Sequence, residues 1–157
     1  MVFISWAAGV FRSFRERDDH LIRDDFSGDR DYDIENDRLL VSTPLGRIPI
    51  PGDMRYDRFT GVYDTEYPSF WKASAFHDLA CGEGYELRNE EGAIVATERW
   101  ITEAIFLYLM MAAVRNIIVE AIQYRQPHYI TDARSMLRRA LRYHMGVRLF
   151  GPKKGKR

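Results

Sequence analysis

Two neighbouring ionisable residues, His77 and Asp78, lie inside the otherwise mainly apolar segment 73–79. Burying ionisable groups costs free energy unless something compensates them, so such a pair is either partnered or functional. A neutral imidazole and a carboxylate can together bind a divalent metal such as zinc, manganese or iron. The pair is therefore the main candidate for chemistry in this sequence.

A metal site would need ligands from other segments, and Asp57 and Glu103 are the best donors. With them, the pair predicts a metal-dependent hydrolase, because a bound metal lowers the pKa of a water that attacks a phosphoester or cell-wall substrate. Hydrolases of this His-Asp kind use a further histidine upstream. Here the one upstream histidine, His20, lies in a charged segment.

The alternative interpretation is a structural network without catalysis. Asp78 then orients or neutralises His77, or caps a turn in the loop 52–67. Asp57 in turn pairs with an arginine to hold that loop on the helix. The candidate arginines are Arg55, Arg58 and Arg115.

The single cysteine, Cys81, excludes an internal disulfide and indicates a reducing compartment or a particle assembled in one. It follows His77 by four residues, so the two can form a nucleophile and its base. Free cysteines on apolar helices are mostly inert core residues, so this interpretation is not favoured.

The chain has 157 residues and no net charge, but its charges are unevenly distributed. The stretch 15–38 has ten acidic residues and five arginines, whereas residues 133–157 have nine basic residues and no acidic one. Opposite poles favour contacts between subunits or with a partner that recognises one end. Nucleic-acid binding through the basic C-terminus is an alternative, but it is not favoured because no groove-reading motif accompanies it.

The first fourteen residues have apolar side chains at spacings of three and four, which predicts an amphipathic helix. An acidic tract follows and would be repelled by anionic lipid, so we expect this helix to dock on protein. The predicted interface residues, which would insert into a neighbouring subunit, are Phe3, Trp6, Val10, Phe11 and Phe14.

The remaining pattern predicts an α+β fold that is mostly α. Two hairpins are expected, from residues 39–42 with 47–50 and from 85–88 with 93–96. A helix is expected from Pro68 to Cys81, and a last helix from Thr131 or Asp132 until Gly151. The long helix 97–124 lacks charged and strongly polar residues over 104–114, so we expect a central helix enclosed by protein and no membrane span.

We therefore expect three regions. Residues 1–38 form the N-terminal helix and a charged arm, 39–151 form the globular domain, and 152–157 form a basic tail.

The order of these motifs resembles the phage-associated family called domain of unknown function thirteen fifty-three. The matching features are the strand end at Ile50, the loop aspartate Asp57, the His77-Asp78 helix and the terminal run 147–151. Glu103 stands where that family has a later helical aspartate. The resemblance implies an origin in a tailed phage or prophage, near tail genes, without a settled biochemical role.

The combined expectation is a virion-associated structural or assembly protein of the tail, neck or baseplate region, made in the host cytoplasm and without a cofactor. It would contact other phage structural proteins or copies of itself. The alternative is the metal-dependent hydrolase built on His77, Asp78, Asp57 and Glu103.

Overall fold

The computed structural model of the chain describes residues 20–58, 68–126 and 128–150. Within these residues the fold is α+β and mostly α-helical, as the sequence predicts. We number the helices α1 (Ile22–Phe26), α2 (Pro68–Gly82), α3 (Arg99–Gln123) and α4 (His128–Phe150). The predicted N-terminal helix, with Phe3, Trp6, Val10, Phe11 and Phe14, lies outside the described residues, as does the tail 152–157.

The described strands are short and form three antiparallel sheets. The largest sheet has the order β2 (Tyr32–Asp33), β3 (Arg38–Thr43), β4 (Gly46–Pro51). A second sheet pairs β1 (His20–Leu21) with β5 (Arg55–Tyr56), and a third pairs β6 (Leu87–Arg88) with β7 (Ile94–Ala96). Both predicted hairpins are confirmed, as β3 with β4 and β6 with β7.

The register of the first hairpin follows from its buried side chains. Leu39 lies opposite Ile50 and Val41 opposite Ile48, and all four are buried. A one-residue slip would turn these side chains towards water, so the register is strongly specified. At the turn, Gly46 has a φ of +106°, a conformation that side chains rarely tolerate.

The stretch from His20 to Asp37, which the sequence suggests is a charged arm, contributes side chains to the core. Ile22 and Phe26 of α1 are 0% and 1% exposed. The Phe26 ring lies 5.9 Å from that of Tyr56, centroid to centroid. The expected boundary at residue 38 therefore divides residues that pack against each other.

Helix α3 is central, with α2 and α4 packed against it. Its buried side includes Phe106, Met110 and Ala113. The expectation that protein encloses it on all sides is wrong for the described residues, because Tyr108 and Ile122 among others are exposed. By length and composition alone α3 could cross a membrane, but core helices of soluble proteins meet the same criterion, so no span is shown.

The last helix begins at His128, before the predicted start at Thr131 or Asp132. The chain reverses direction at Arg125, whose φ is +50°, and the N–H of Gln126 donates to the carbonyl of Ala121 over 3.0 Å. Helix α4 can therefore start directly after Pro127. A side-chain cap is only one of several ways to satisfy the first N–H groups of a helix, so the cap signal misplaced the start.

Gly52 lies where three segments approach each other. Its N–H donates to the carbonyl of Asp37 over 2.8 Å, and its own carbonyl accepts from the N–H of Arg23 over 2.9 Å. A Cβ at this position would overlap the hydroxyl of Tyr32 and the carboxylate of Asp37. These two groups hydrogen-bond each other, so the glycine permits a contact that a larger residue would break.

We expect Gly52→Ala to lower the free energy of unfolding by about 1–3 kcal/mol, because the added methyl must displace Tyr32 and Asp37. Urea unfolding followed by circular dichroism measures this. Gly28→Ala is the matched control, because a Cβ at Gly28 meets no atom within 4 Å. Equal stability of the two variants would contradict the close approach at Gly52.

Candidate functional site

Helix α2 places the predicted His-Asp pair at the margin of the core. Ala73, Phe76 and Ala80 of this helix are fully buried. The side chains of His77 and Asp78 are 19% and 28% exposed, respectively. The pair is thus half-buried, as the sequence predicts, and it faces the segment that follows β5.

Two hydrogen bonds attach that segment to α2. The backbone N–H of Asp57 donates to Oδ2 of Asp78 over 3.4 Å. The hydroxyl of Ser74, one turn before Asp78, donates to Oδ1 of Asp57 over 2.9 Å. Asp57 therefore lies beside the His-Asp pair, although 20 residues separate it from His77 in the sequence.

The His77 ring contacts three different groups. Its Nδ1 lies 3.8 Å from Oδ1 of Asp78, and its Nε2 lies 3.7 Å from the sulfur of Cys81. The third contact is Phe106 of α3, whose ring centroid lies 4.9 Å away at a tilt of 45°. Each ring nitrogen therefore has a partner from α2 itself, and the ring face packs on α3.

Burial by itself lowers the pKa of His77, because it disfavours the charged imidazolium. The carboxylate of Asp78 and the sulfur of Cys81, each within 4 Å of a ring nitrogen, outweigh burial and raise the pKa to about 10. His77 is then an imidazolium at neutral pH. An imidazolium has no lone pair for a metal and cannot act as a general base.

The fourth predicted residue, Glu103, belongs to a neighbouring contact. Its Oε1 accepts from Nε of Arg99 over 2.7 Å, one turn earlier on α3. Cys81 and Glu103 both act on the pKa of Tyr85, so the Arg99–Glu103 pair lies near the His77–Cys81 contact. Burial, followed by the influence of Cys81, raises the pKa of Tyr85 to about 12.

The structure brings Asp57, His77 and Asp78 together, but it engages Glu103 with Arg99. Within the described residues, no group of three or more histidines, cysteines, aspartates or glutamates is arranged to hold a metal ion. The described contacts join the segment after β5 to α2, and His77 of α2 packs on α3.

A second polar cluster, which sequence reasoning missed, lies next to this site. Nε of Arg58 donates to Oδ2 of Asp25 over 2.7 Å, and the hydroxyl of Tyr56 donates to the same carboxylate. The guanidinium of Arg58 also stacks over Trp71, 4.3 Å from the ring centroid. No sequence signal marks this cluster, because Asp25 is one acidic residue among many in its stretch.

The charges in this cluster are fixed by their neighbours. Burial alone would raise the pKa of Asp25, but the hydrogen bonds from Arg58 and Tyr56 bring it below its ordinary value. Burial and the Asp25 carboxylate both raise the pKa of Tyr56. Asp25 thus stays ionised and Tyr56 stays neutral. The positive charge of Arg58 balances the negative charge of Asp25.

A shallow cavity of about 350 Å³ opens beside the pair. Asp78 and Cys81 line it. The other lining residues come from around the start of β5 and the end of α2: Met54, Arg55, Leu79, Gly82 and Glu83. Solvent therefore reaches one edge of the site.

Scans against models of known protein families, curated proteins and solved structures find no match to this chain. The family resemblance noted from the motifs stays a prediction.

We expect Asp78→Asn to lower the pKa of His77. The variant removes the negative charge that stabilises the imidazolium, while burial still disfavours it. Titration of the histidine Cε1–H signals by two-dimensional NMR measures this. Asp53→Asn serves as the control, because it makes the same change at an exposed aspartate. If the His77 signal titrates at the same pH in both variants, Asp78 does not stabilise the imidazolium.

The raised pKa also predicts how stability depends on pH. The folded value of about 10 lies above the ordinary 6.5, so protonated His77 contributes stability that is complete below pH 6.5 and is lost as pH rises towards 10. Chemical unfolding of the wild type across this range should show that loss. The slope should be smaller in Asp78→Asn.

Proposed function

We propose that this protein works by assembly and not by turnover, as a virion-associated protein of a tailed phage or prophage. Its place is the tail, neck or baseplate region, and it is made in the host cytoplasm. The motif resemblance supports the phage context. The exposed face of α3 supports the assembly role and is the observation that carries it.

Six exposed positions of α3 follow each other at alternating steps of four and three residues. This is the spacing of the a and d positions in a coiled coil, which turn one continuous face towards a partner helix. Four of the six are large apolar residues that are between 40% and 69% exposed. We call this face the α3 seam; it consists of Ala104, Tyr108, Met111, Arg115, Ile118 and Ile122.

The partner that fits the α3 seam is a second copy of the same helix, in antiparallel orientation. A two-fold axis near residue 113 places Met111 opposite Arg115, Tyr108 opposite Ile118, and the small Ala104 opposite Ile122. The apolar stem of Arg115 can then cover Met111 while its guanidinium reaches water. In parallel orientation the two Arg115 side chains would share one layer, and their like charges would repel.

The metal-dependent hydrolase has weaker support from the same site. The pKa of His77 is raised, Glu103 is paired with Arg99, and Asp57 accepts a hydrogen bond from Ser74. His77 would have to lose its proton, and Glu103 its contact with Arg99, before the two could bind a metal. We therefore attribute the His-Asp pair to folding of the domain that displays the seam.

Self-assembly through the α3 seam predicts a dimer of the wild type in solution. The double variant Ile118→Glu with Ile122→Glu should be monomeric, because two carboxylates would then be buried against apolar side chains. Size-exclusion chromatography with light scattering measures the mass directly.

The matched control also replaces two isoleucines by glutamate, Ile34→Glu with Ile94→Glu. Both are exposed and lie outside the seam. It should remain dimeric. A monomeric wild type at high micromolar concentration would show that the seam does not bind a second copy. A monomeric control would show that loss of the dimer is not specific to the seam.

The virion assignment predicts that purified phage particles contain this chain in a fixed copy number. Quantitative mass spectrometry of particles from the strain that encodes it measures this against a known tail protein. Absence from the particles, with the chain abundant in the lysate, would refute the virion assignment while leaving self-assembly intact.

A further inference from the structure

The outer face of α4 carries a row of three arginines. Arg134, Arg138 and Arg142 are spaced four residues apart, so they lie on one side of the helix at intervals of about 6 Å. All three are exposed. They line a shallow groove of about 440 Å³ together with Thr131, Ser135 and Arg139.

These arginines differ from the arginines of the described chain that form salt bridges. Six other arginines are paired with carboxylates, at Arg23, Arg38, Arg47, Arg58, Arg88 and Arg99. In the described part of the chain no carboxylate pairs with Arg134, Arg138 or Arg142. Like charges four residues apart on a helix repel, so the row costs stability unless an anion binds there.

The chemistry of the groove fits phosphate groups. A guanidinium presents a planar fork of N–H donors that matches two phosphate oxygens, and hydroxyl groups such as those of Thr131 and Ser135 add neutral donors between the charges. Three cations in a line fit an extended polyanion better than a single small anion. Duplex DNA presents closely spaced phosphates along its whole length.

A lipid surface fits this helix less well. A helix that lies in a membrane interface needs a broad apolar face directed towards the lipid. The apolar face of α4 is used inside the protein, because Ala133, Met136 and Ala140 are buried. Only Leu141 and Met145 remain exposed as large apolar side chains on the described part of α4.

We infer that Arg134, Arg138 and Arg142 of α4 bind the phosphate backbone of double-stranded DNA without sequence preference. The sequence extends the positive charge beyond the row, since no acidic residue occurs after Asp132. This inference does not rest on self-assembly, because the row lies on α4 and the seam lies on α3.

Fluorescence anisotropy with two labelled duplexes of unrelated sequence tests this inference on the full chain. The wild type should bind both equally, and its affinity should fall steeply as salt is raised. Arg138→Gln with Arg142→Gln should weaken binding about tenfold and reduce the salt slope by about two, because two phosphate contacts are lost.

The matched control is Arg30→Gln with Arg125→Gln, which removes the same charge from exposed positions outside the row. It should bind almost as the wild type does. An equal loss in both double variants would mean that net charge alone attracts DNA, and the inference would fail. The single variant Arg134→Gln, which loses one contact, provides a second test if the α4 double variant melts early.

Vesicles with and without phosphatidylserine separate a phosphate-bearing lipid from DNA. The wild type should sediment with neither kind at physiological salt. Binding to the anionic vesicles without binding to DNA would overturn the inference in favour of a membrane surface. No measurable binding to DNA at low salt would overturn it as well.

Discussion

The fold depends on how the segment after β5 is attached to α2. Two charged contacts lie at this attachment: Asp78 with His77 within α2, and Asp25 of α1 with Arg58. The Asp78 carboxylate accepts a hydrogen bond from the backbone N–H of Asp57. The Asp25 carboxylate accepts one from the side chain of Arg58. Half-buried charges of this kind are costly when one partner is removed, so they specify a single arrangement of α1, β5 and α2.

Helix α3 serves both the interior and the surface. Its buried side supplies Phe106, which packs on His77, and so connects the attached segment to the centre of the molecule. Its other side carries apolar residues in a seven-residue repeat that the described chain leaves exposed. The same helix holds the domain together and, in the proposed dimer, contacts a second copy.

The charges are arranged differently in two parts of the described chain. Between Arg23 and Glu103, arginines pair with carboxylates, as Arg47 does with Glu90 and Arg38 with Asp33. In α4, arginines stand in a row without carboxylates among the described residues. A chain with a net charge of zero can therefore still have a strong local electric field at its surface. That field depends on where the charged residues lie and not on how many there are.

The sequence by itself determined the three long helices, the two predicted hairpins and the half-buried His77-Asp78 pair, because hydrophobic periods, proline and glycine act over a few neighbouring residues. It also indicated that Asp57 belongs beside that pair. Only the tertiary structure decided that the stretch from His20 belongs to the core, that Glu103 pairs with Arg99, and which side of α3 stays exposed. These outcomes depend on contacts between residues far apart in the chain, such as Asp25 and Arg58, and on the surroundings that set the charge of His77. Such long-range packing and burial leave no local pattern, so they become visible only when the chain is folded.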